Sequence, residues 1–262
     1  MTEGLLLGIL RHDRVVVMAS LVVVVAIAWT WLLFGAGISA PEAGGMAGGM
    51  TMAAPAWTPG YAALQLLMWA VMMVAMMLPS AAPVILLAVG LGGRGRGAAA
   101  RMPNAAWFAL GYIAVWTGFS LLATALEWGL HEAGLLSPGM AIGSAALAGL
   151  ILIGAGLYQW TPLKAACLRH CRSPLAFLLQ HWRGGARGGI VIGLRHGLYC
   201  LGCCAMLMTL LFVGGAMNLL WIAGLALLVL IEKVLPWGGR TCRLTGAVLT
   251  LWGAASLAAA LW

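Results

Sequence analysis

A run of nine residues, from Cys200 to Met208, carries three thiols and two thioethers inside an apolar segment. On a helix, Cys200, Cys203 and Cys204 are spaced i, i+3 and i+4, so their side chains share one face and can converge on one ion. His196 lies one turn earlier on that face. Soft sulfur ligands select Cu(I), zinc or iron–sulfur clusters over hard cations. The spacing therefore predicts a soft-metal site, with core packing by these residues as the alternative.

A second sulfur-rich segment holds five methionines within ten residues: Met68, Met72, Met73, Met76 and Met77. On a helix these residues form two adjacent stripes. Pro79 and Pro83 follow, and each proline removes a backbone donor, so the kinked helix needs a neighbour or a lined cavity. We expect Met72 and Met76 to face the cysteine-bearing helix and, with Met73, Met77 and Met208, to supply thioether ligands. The alternative is that the methionines only pack the core.

Two further residue pairs are candidate metal ligands. Cys167 and Cys171, at i and i+4 in a polar segment, can bind or pass on a soft metal, although two thiols make an incomplete site. Glu127 and His131 also stand at i and i+4, near the end of an apolar segment. This second pair can share a metal or a proton, with helix capping at the membrane interface as the alternative.

A Gly- and Ala-rich loop near residues 35–60 carries Met46, Met50 and Met52 and no Lys or Arg. Thioethers spaced along a flexible segment offer weak capture points for Cu(I) where thiols would be oxidised. The alternative interpretation is a low-complexity linker with incidental methionines.

The composition excludes a soluble globular protein, because 63% of the 262 residues are hydrophobic and 8% are charged. We predict an all-α fold, a single polytopic membrane domain over residues 1–262 with about seven transmembrane helices. A short interfacial helix is expected near 174–183, after Ser173-Pro174. The predicted spans are approximately 15–34, 61–89, 104–130, 141–160, 189–213, 217–235 and 244–262.

All 14 Lys and Arg residues fall at the N-terminus or in loops and helix ends on one predicted side of the membrane. The positive-inside rule then predicts a cytoplasmic N-terminus and an external C-terminus. We expect a multi-pass protein of the bacterial inner (plasma) membrane that contacts lipid and does not bind nucleic acid. The six cysteines then lie in the membrane or on the cytoplasmic side, where reduced thiols are the default.

Five motifs between about residues 65 and 240 carry a family resemblance. They are Met-Trp-x-x-Met-Met-x-x-Met-Met-Leu-Pro-Ser at 68–80, Tyr-Gln-x-Thr-Pro-Leu-Lys-x-x-Cys-Leu-x-x-Cys-Arg-x-Pro at 158–174, Cys-x-Gly-Cys-Cys at 200–204, Gly-Gly-x-Met-Asn at 214–218 and Glu-Lys-x-x-Pro at 232–236. Together they resemble a bacterial family of predicted metal-binding integral membrane proteins of unknown function. The resemblance implies a helical membrane protein with a metal site and no established reaction.

The favoured function is copper(I) handling, by binding, relay or delivery, with a copper chaperone or a membrane complex as partner. The sequence contains no ATP-binding motif, so transport would be passive, ion-coupled or driven by a partner. Zinc and haem are the alternative cofactors. The competing functions are a membrane redox subunit, with a thiol centre or a haem between His131, His181 and His196, and a purely structural subunit. We assign no catalytic residue and do not expect an enzyme.

Overall fold

The computed structural model describes residues 2–35, 57–91, 101–137, 139–181, 185–235 and 237–261. They form the helices α1 (Thr2–Gly35), α2 (Pro59–Leu91), α3 (Arg101–Glu132), α4 (Ala145–Tyr158), α5 (Pro162–Arg172), α6 (Pro174–His181), α7 (Gly185–Met208), α8 (Leu211–Gly214), α9 (Leu219–Val234) and α10 (Gly238–Leu261). Extended pairing in this part of the chain is confined to an isolated bridge between Leu136 and Ile142. The predicted all-α fold is confirmed for these residues.

Five stretches in the described residues are long and apolar enough to cross a membrane: Asp13–Phe34, Pro59–Val89, Ala105–Glu132, Gly185–Gly214 and Gly238–Leu261. The pair α4 and α5 meets the same criteria together with a bend of 64°, the arrangement of a broken span or a re-entrant loop. The protein is thus a helical membrane protein with five or six candidate spans. The predicted span 217–235 corresponds to α9, whose 16 residues cover about 24 Å, less than a bilayer core of ~30 Å.

The bend between α4 and α5 follows from local capping. The Ser144 side chain accepts a hydrogen bond from the Leu147 amide, so α4 begins at Ala145 rather than at residue 141 as predicted. At the other end, the Thr161 side chain caps α5, and Pro162 occupies its first turn. The predicted span 141–160 therefore corresponds to α4 alone, and α5 is a separately capped helix that follows it.

Close packing of α3 on α7 positions the cysteine face. A Cβ atom at Gly193 would overlap the Phe108 carbonyl, and one at Gly111 would overlap the Ile190 carbonyl. Glycine at these positions lets the two backbones approach closely, as in other membrane helix pairs. The same approach brings Tyr112 of α3 to the cysteines of α7.

The proline-containing part of α2 contacts α3 through the Tyr112 hydroxyl. The Ser80 hydroxyl donates to the Met77 carbonyl at 2.7 Å, and the Tyr112 hydroxyl donates to the same carbonyl at 3.0 Å. Side chains of this kind satisfy backbone groups near membrane prolines. The short helix predicted near 174–183 is present as α6, and its Phe177 and Leu178 side chains are buried.

Candidate metal centre

Sulfur atoms from three helices meet around the cysteines of α7. Cys200, Cys203 and Cys204 are 1%, 2% and 1% exposed. The Cys204 Sγ lies 3.8 Å from the Sδ of Met77 in α2, and the Cys203 Sγ lies 3.9 Å from the Sγ of Cys171 in α5. We call Met77, Cys171, Cys200, Cys203 and Cys204 the thiol cluster. It brings thiols and a thioether, the ligand types of a soft-metal site, into one buried region.

Two thiols of the cluster donate hydrogen bonds to their own helix. The Cys203 thiol donates to the Cys200 carbonyl at 3.1 Å, and the Cys204 thiol donates to the same carbonyl at 2.8 Å. A thiolate has no proton to donate, so metal binding by these residues would release both bonds.

Lys233 of α9 adds a positive charge to the thiol cluster. Its side chain is buried, and its Nζ lies 2.9 Å from the Cys200 Sγ and 3.0 Å from the Ser80 Oγ. The Tyr112 hydroxyl lies 3.0 Å from the same sulfur. From the sequence, Lys233 was part of a family motif and was not predicted as a site residue. The available signal was its place in the apolar segment that ends in the motif Glu-Lys-x-x-Pro at 232–236. Ionisable residues within membrane segments are functional candidates by default.

A buried ion pair fixes α5 beside the thiol cluster. The Lys164 Nζ lies 2.7 Å from a Glu232 carboxylate oxygen, and the two side chains are 1% and 2% exposed. The Cys242 thiol of α10 also interacts with Glu232. Because Lys164 and Glu232 neutralise each other, neither supplies a counter-charge to Lys233.

The other sulfur residues predicted as ligands are buried or lie close to α7. Met72, Met73, Met76 and Met208 are 0%, 0%, 2% and 0% exposed. The methionine stripe therefore does not face lipid, and the contact to Cys204 comes from Met77. The Cys167 sulfur lies against Gly202, where a Cβ atom would approach it to 2.6 Å. Met46, Met50 and Met52 lie outside the described residues.

The arrangement of donors falls short of a formed multidentate site. Across the described parts of the chain, no group of three or more His, Cys, Asp or Glu side chains is placed to hold a metal ion. The close sulfur contacts come instead as the pairs Cys204–Met77 and Cys203–Cys171. Cu(I) accepts few, soft ligands, so pairs of sulfur donors suit it better than they suit a metal that requires a full tetrahedral set.

A second buried polar group surrounds Glu127 of α3, which is 2% exposed. One carboxylate oxygen accepts a hydrogen bond from the Gln65 Nε2 at 2.9 Å, and the other accepts one from the Trp69 Nε1 at 2.6 Å. The Gln65 Nε2 also lies 3.7 Å from the Met140 Sδ. We call Gln65, Trp69, Glu127 and Met140 the carboxylate cluster. The residues of this cluster other than Glu127 were not predicted from sequence.

His131 lies near the carboxylate cluster but is oriented toward other groups. Its Nδ1 lies 3.8 Å from a Glu132 oxygen, and its ring centroid is 6.0 Å from that of Trp57. Neither ring nitrogen has a hydrogen-bond partner among the described residues. The structure therefore joins Glu127 to α2 rather than to His131.

His196 occupies an aromatic pocket on the cysteine face of α7. Its ring centroid lies 5.7 Å from that of Phe108, 5.9 Å from that of Tyr112 and 5.2 Å from that of Phe177. The His181 ring also packs against Phe177, with the two ring centroids 5.0 Å apart. His196 is 2% exposed, and its Nδ1 lacks a hydrogen-bond partner within the described chain. Aromatic rings thus form the immediate surroundings of this predicted ligand.

The two clusters lie at different levels of the same helices. Tyr112 and Glu127 are fifteen residues apart on α3, a separation of about 22 Å along the helix axis. On α2, four buried methionines lie between Gln65 and Met77: Met68, Met72, Met73 and Met76. Thioethers therefore fill the part of α2 that separates the carboxylate cluster from the thiol cluster.

Comparison with known proteins gives one family assignment. A family model named PpoB2 and described as copper chaperone matches residues 66–256. No curated protein and no solved structure matches the chain. The matched range includes every residue of the thiol cluster. The predicted resemblance was to metal-binding integral membrane proteins of unknown function, and the match supports its metal-binding part and specifies copper.

Proposed function

Because the chain belongs to the PpoB2 copper chaperone family, we propose that it binds Cu(I) at the thiol cluster, within the membrane, and delivers it to an acceptor. The observation that carries this proposal is the meeting of sulfur atoms from α2, α5 and α7 in one buried region. Thiolate and thioether ligands both favour Cu(I) over hard cations. A mixed set also binds less permanently than thiolates alone, which suits a protein that must release its cargo.

The ligands proposed for Cu(I) are the three cysteines of α7 together with Met77 and Cys171. Cys204 with Met77 forms one sulfur pair, and Cys203 with Cys171 forms the other. Cys171 lies at the end of α5, and Cys167 lies one turn before it. We assign this α5 pair to the release step, because its side chains are only partly buried.

The proposed path begins at the carboxylate cluster and continues along the methionines of α2 to the thiol cluster. The Glu127 carboxylate attracts a cation electrostatically, and the thioethers of Met72, Met73 and Met76 offer weak, replaceable ligands. The proposed acceptor is a copper chaperone or a copper-dependent membrane complex.

The proposed topology has seven spans, counting α4 with α5 as one and α9 as a short one, in a bacterial inner membrane. The N-terminus then lies inside, and the C-terminus lies outside. A C-terminal reporter that is active only in the cytoplasm should stay silent. Activity of that reporter would require a different number of spans.

Copper loading of variants tests the proposed function. The purified protein and a Cys200→Ser/Cys203→Ser/Cys204→Ser variant are loaded with Cu(I), desalted and analysed for copper per chain. Cys242→Ser is the matched control, because Cys242 is also buried but belongs to the environment of Glu232. We expect copper to be lost in the triple variant and retained in the control. Equal copper in wild type and triple variant would contradict the proposal.

A further inference from the structure

The ammonium of Lys233 lies inside the bundle against a proposed ligand, 2.9 Å from the Cys200 Sγ. We propose that this fixed positive charge makes the thiol cluster selective for monovalent over divalent soft cations. The inference rests on the proposed Cu(I) site and adds a residue that sets which metal the site accepts.

The position of Lys233 excludes the usual role of a membrane lysine. A lysine near a helix end normally extends its ammonium to the interface. Lys233 is instead 7% exposed, and its Nζ is held by the Ser80 hydroxyl at 3.0 Å as well as by Cys200. A charge kept inside a membrane protein at a desolvation cost is a functional candidate.

The charged groups around Lys233 leave the sulfur atoms as its electrostatic partners. Glu232, the adjacent residue, turns to Lys164 and forms a separate ion pair. Tyr112 and Ser80 contribute neutral hydroxyl groups. A metal bound by Cys200 would therefore lie beside an ammonium whose nearest anionic partner is the Cys200 thiolate itself.

Repulsion between Lys233 and a bound ion is proportional to the charge of that ion. A divalent ion at the same position is repelled twice as strongly as Cu(I), and the low dielectric of a buried site enlarges the difference. The paired sulfur donors suit Cu(I) better than a tetrahedral ion, but thiolates bind both Cu(I) and Zn(II). The ammonium adds a discrimination by charge to this preference.

Metal competition on the purified full-length protein tests the inference. Affinities for Cu(I) and Zn(II) are each measured against a chromogenic chelator, and their ratio is compared between variants. Lys233→Gln should lower the Cu(I)-to-Zn(II) affinity ratio at least tenfold, and Lys233→Arg should keep the ratio within about threefold of wild type. Size-exclusion profiles and helical circular dichroism establish that each variant is folded.

Two substitutions of Ser80 test the charge without removing the lysine. Ser80→Asp places a carboxylate beside the ammonium and should lower the affinity ratio as Lys233→Gln does. Ser80→Ala removes a hydrogen bond but leaves the charge, and should not change the ratio. If the Cu(I)-to-Zn(II) affinity ratio is unchanged in both Lys233→Gln and Ser80→Asp while Cu(I) is still bound, the proposed role of Lys233 is overturned and the proposed function is not. Failure of the wild-type protein to bind Cu(I) would instead overturn the proposed function.

Discussion

The thiol cluster and the carboxylate cluster are both buried and both include residues of α2, yet they carry charge differently. In the thiol cluster, the Lys233 ammonium lies against the Cys200 sulfur. In the carboxylate cluster, Glu127 accepts hydrogen bonds from the neutral donors Gln65 and Trp69. A buried carboxylate with neutral donors attracts cations, whereas an ammonium beside sulfur weakens their retention. This difference favours the carboxylate cluster as the place that attracts a cation and the thiol cluster as the place that holds and releases it.

The largest expected effect comes from breaking the ion pair that supports the thiol cluster. Lys164→Met leaves Glu232 buried without its partner and should destabilise the protein by about 3–5 kcal/mol. Thermal unfolding in detergent measures the loss. The double variant Lys164→Met/Glu232→Leu should recover most of it, because an apolar pair carries no uncompensated charge. A double variant as unstable as the single one would show that packing rather than charge is responsible.

A smaller effect is expected from Glu127 in the carboxylate cluster. Glu127→Leu leaves the buried Trp69 donor without its acceptor, which should cost about 1–3 kcal/mol, whereas the Gln65 amide keeps the Tyr61 hydroxyl at 2.7 Å. Glu127→Gln keeps an acceptor oxygen and the side-chain volume and should be closer to wild type in thermal unfolding. Equal stability of the two variants would mean that the donors find other partners.

The Glu127→Gln variant also separates the roles of the two clusters. Because Glu127 lies about 22 Å along α3 from Tyr112, equilibrium Cu(I) affinity at the thiol cluster should stay within about threefold of wild type. Loss of the attracting charge should slow Cu(I) uptake about tenfold, as expected for an electrostatically assisted approach. Stopped-flow loading in liposomes measures the rate, and an affinity that falls as much as the rate would place Glu127 at the binding site itself.

The smallest expected change in stability is at the methionines. Met77→Leu nearly conserves volume and should alter stability by less than ~1.5 kcal/mol. Because leucine has no sulfur, Cu(I) affinity should fall about tenfold, which corresponds to ~1.4 kcal/mol. Met72→Leu/Met76→Leu is the comparison, since both residues are buried on the same helix. If chelator titrations show weaker Cu(I) binding by the double variant than by Met77→Leu, the thioether ligand is Met72 or Met76 rather than Met77.

The helical membrane fold could be predicted from composition and from the apolar runs. The start of α4 and the separate helix α5 depend on the caps Ser144 and Thr161. Each cap acts through a single hydrogen bond, which hydropathy does not register. The 16-residue α9 is likewise too short to be assigned as a span from apolarity alone.

The sulfur residues of the candidate site could be predicted because helical spacing puts them on one face. Their partners could not, since these come from other helices. Met76 and Met77 are adjacent in α2, so they lie at nearly the same depth. Only tertiary packing determines that Met77 contacts Cys204. Similarly, the contact between Lys233 and Cys200 joins residues 33 positions apart on different helices.

X-ray absorption at the copper edge of the Cu(I)-loaded protein tests the central claim most directly. We expect a first coordination shell of sulfur atoms in wild type and in Cys242→Ser. This sulfur shell should disappear in Cys200→Ser/Cys203→Ser/Cys204→Ser. A shell dominated by nitrogen or oxygen in the wild-type protein, or a sulfur shell that survives in the triple variant, would contradict Cu(I) binding at the thiol cluster.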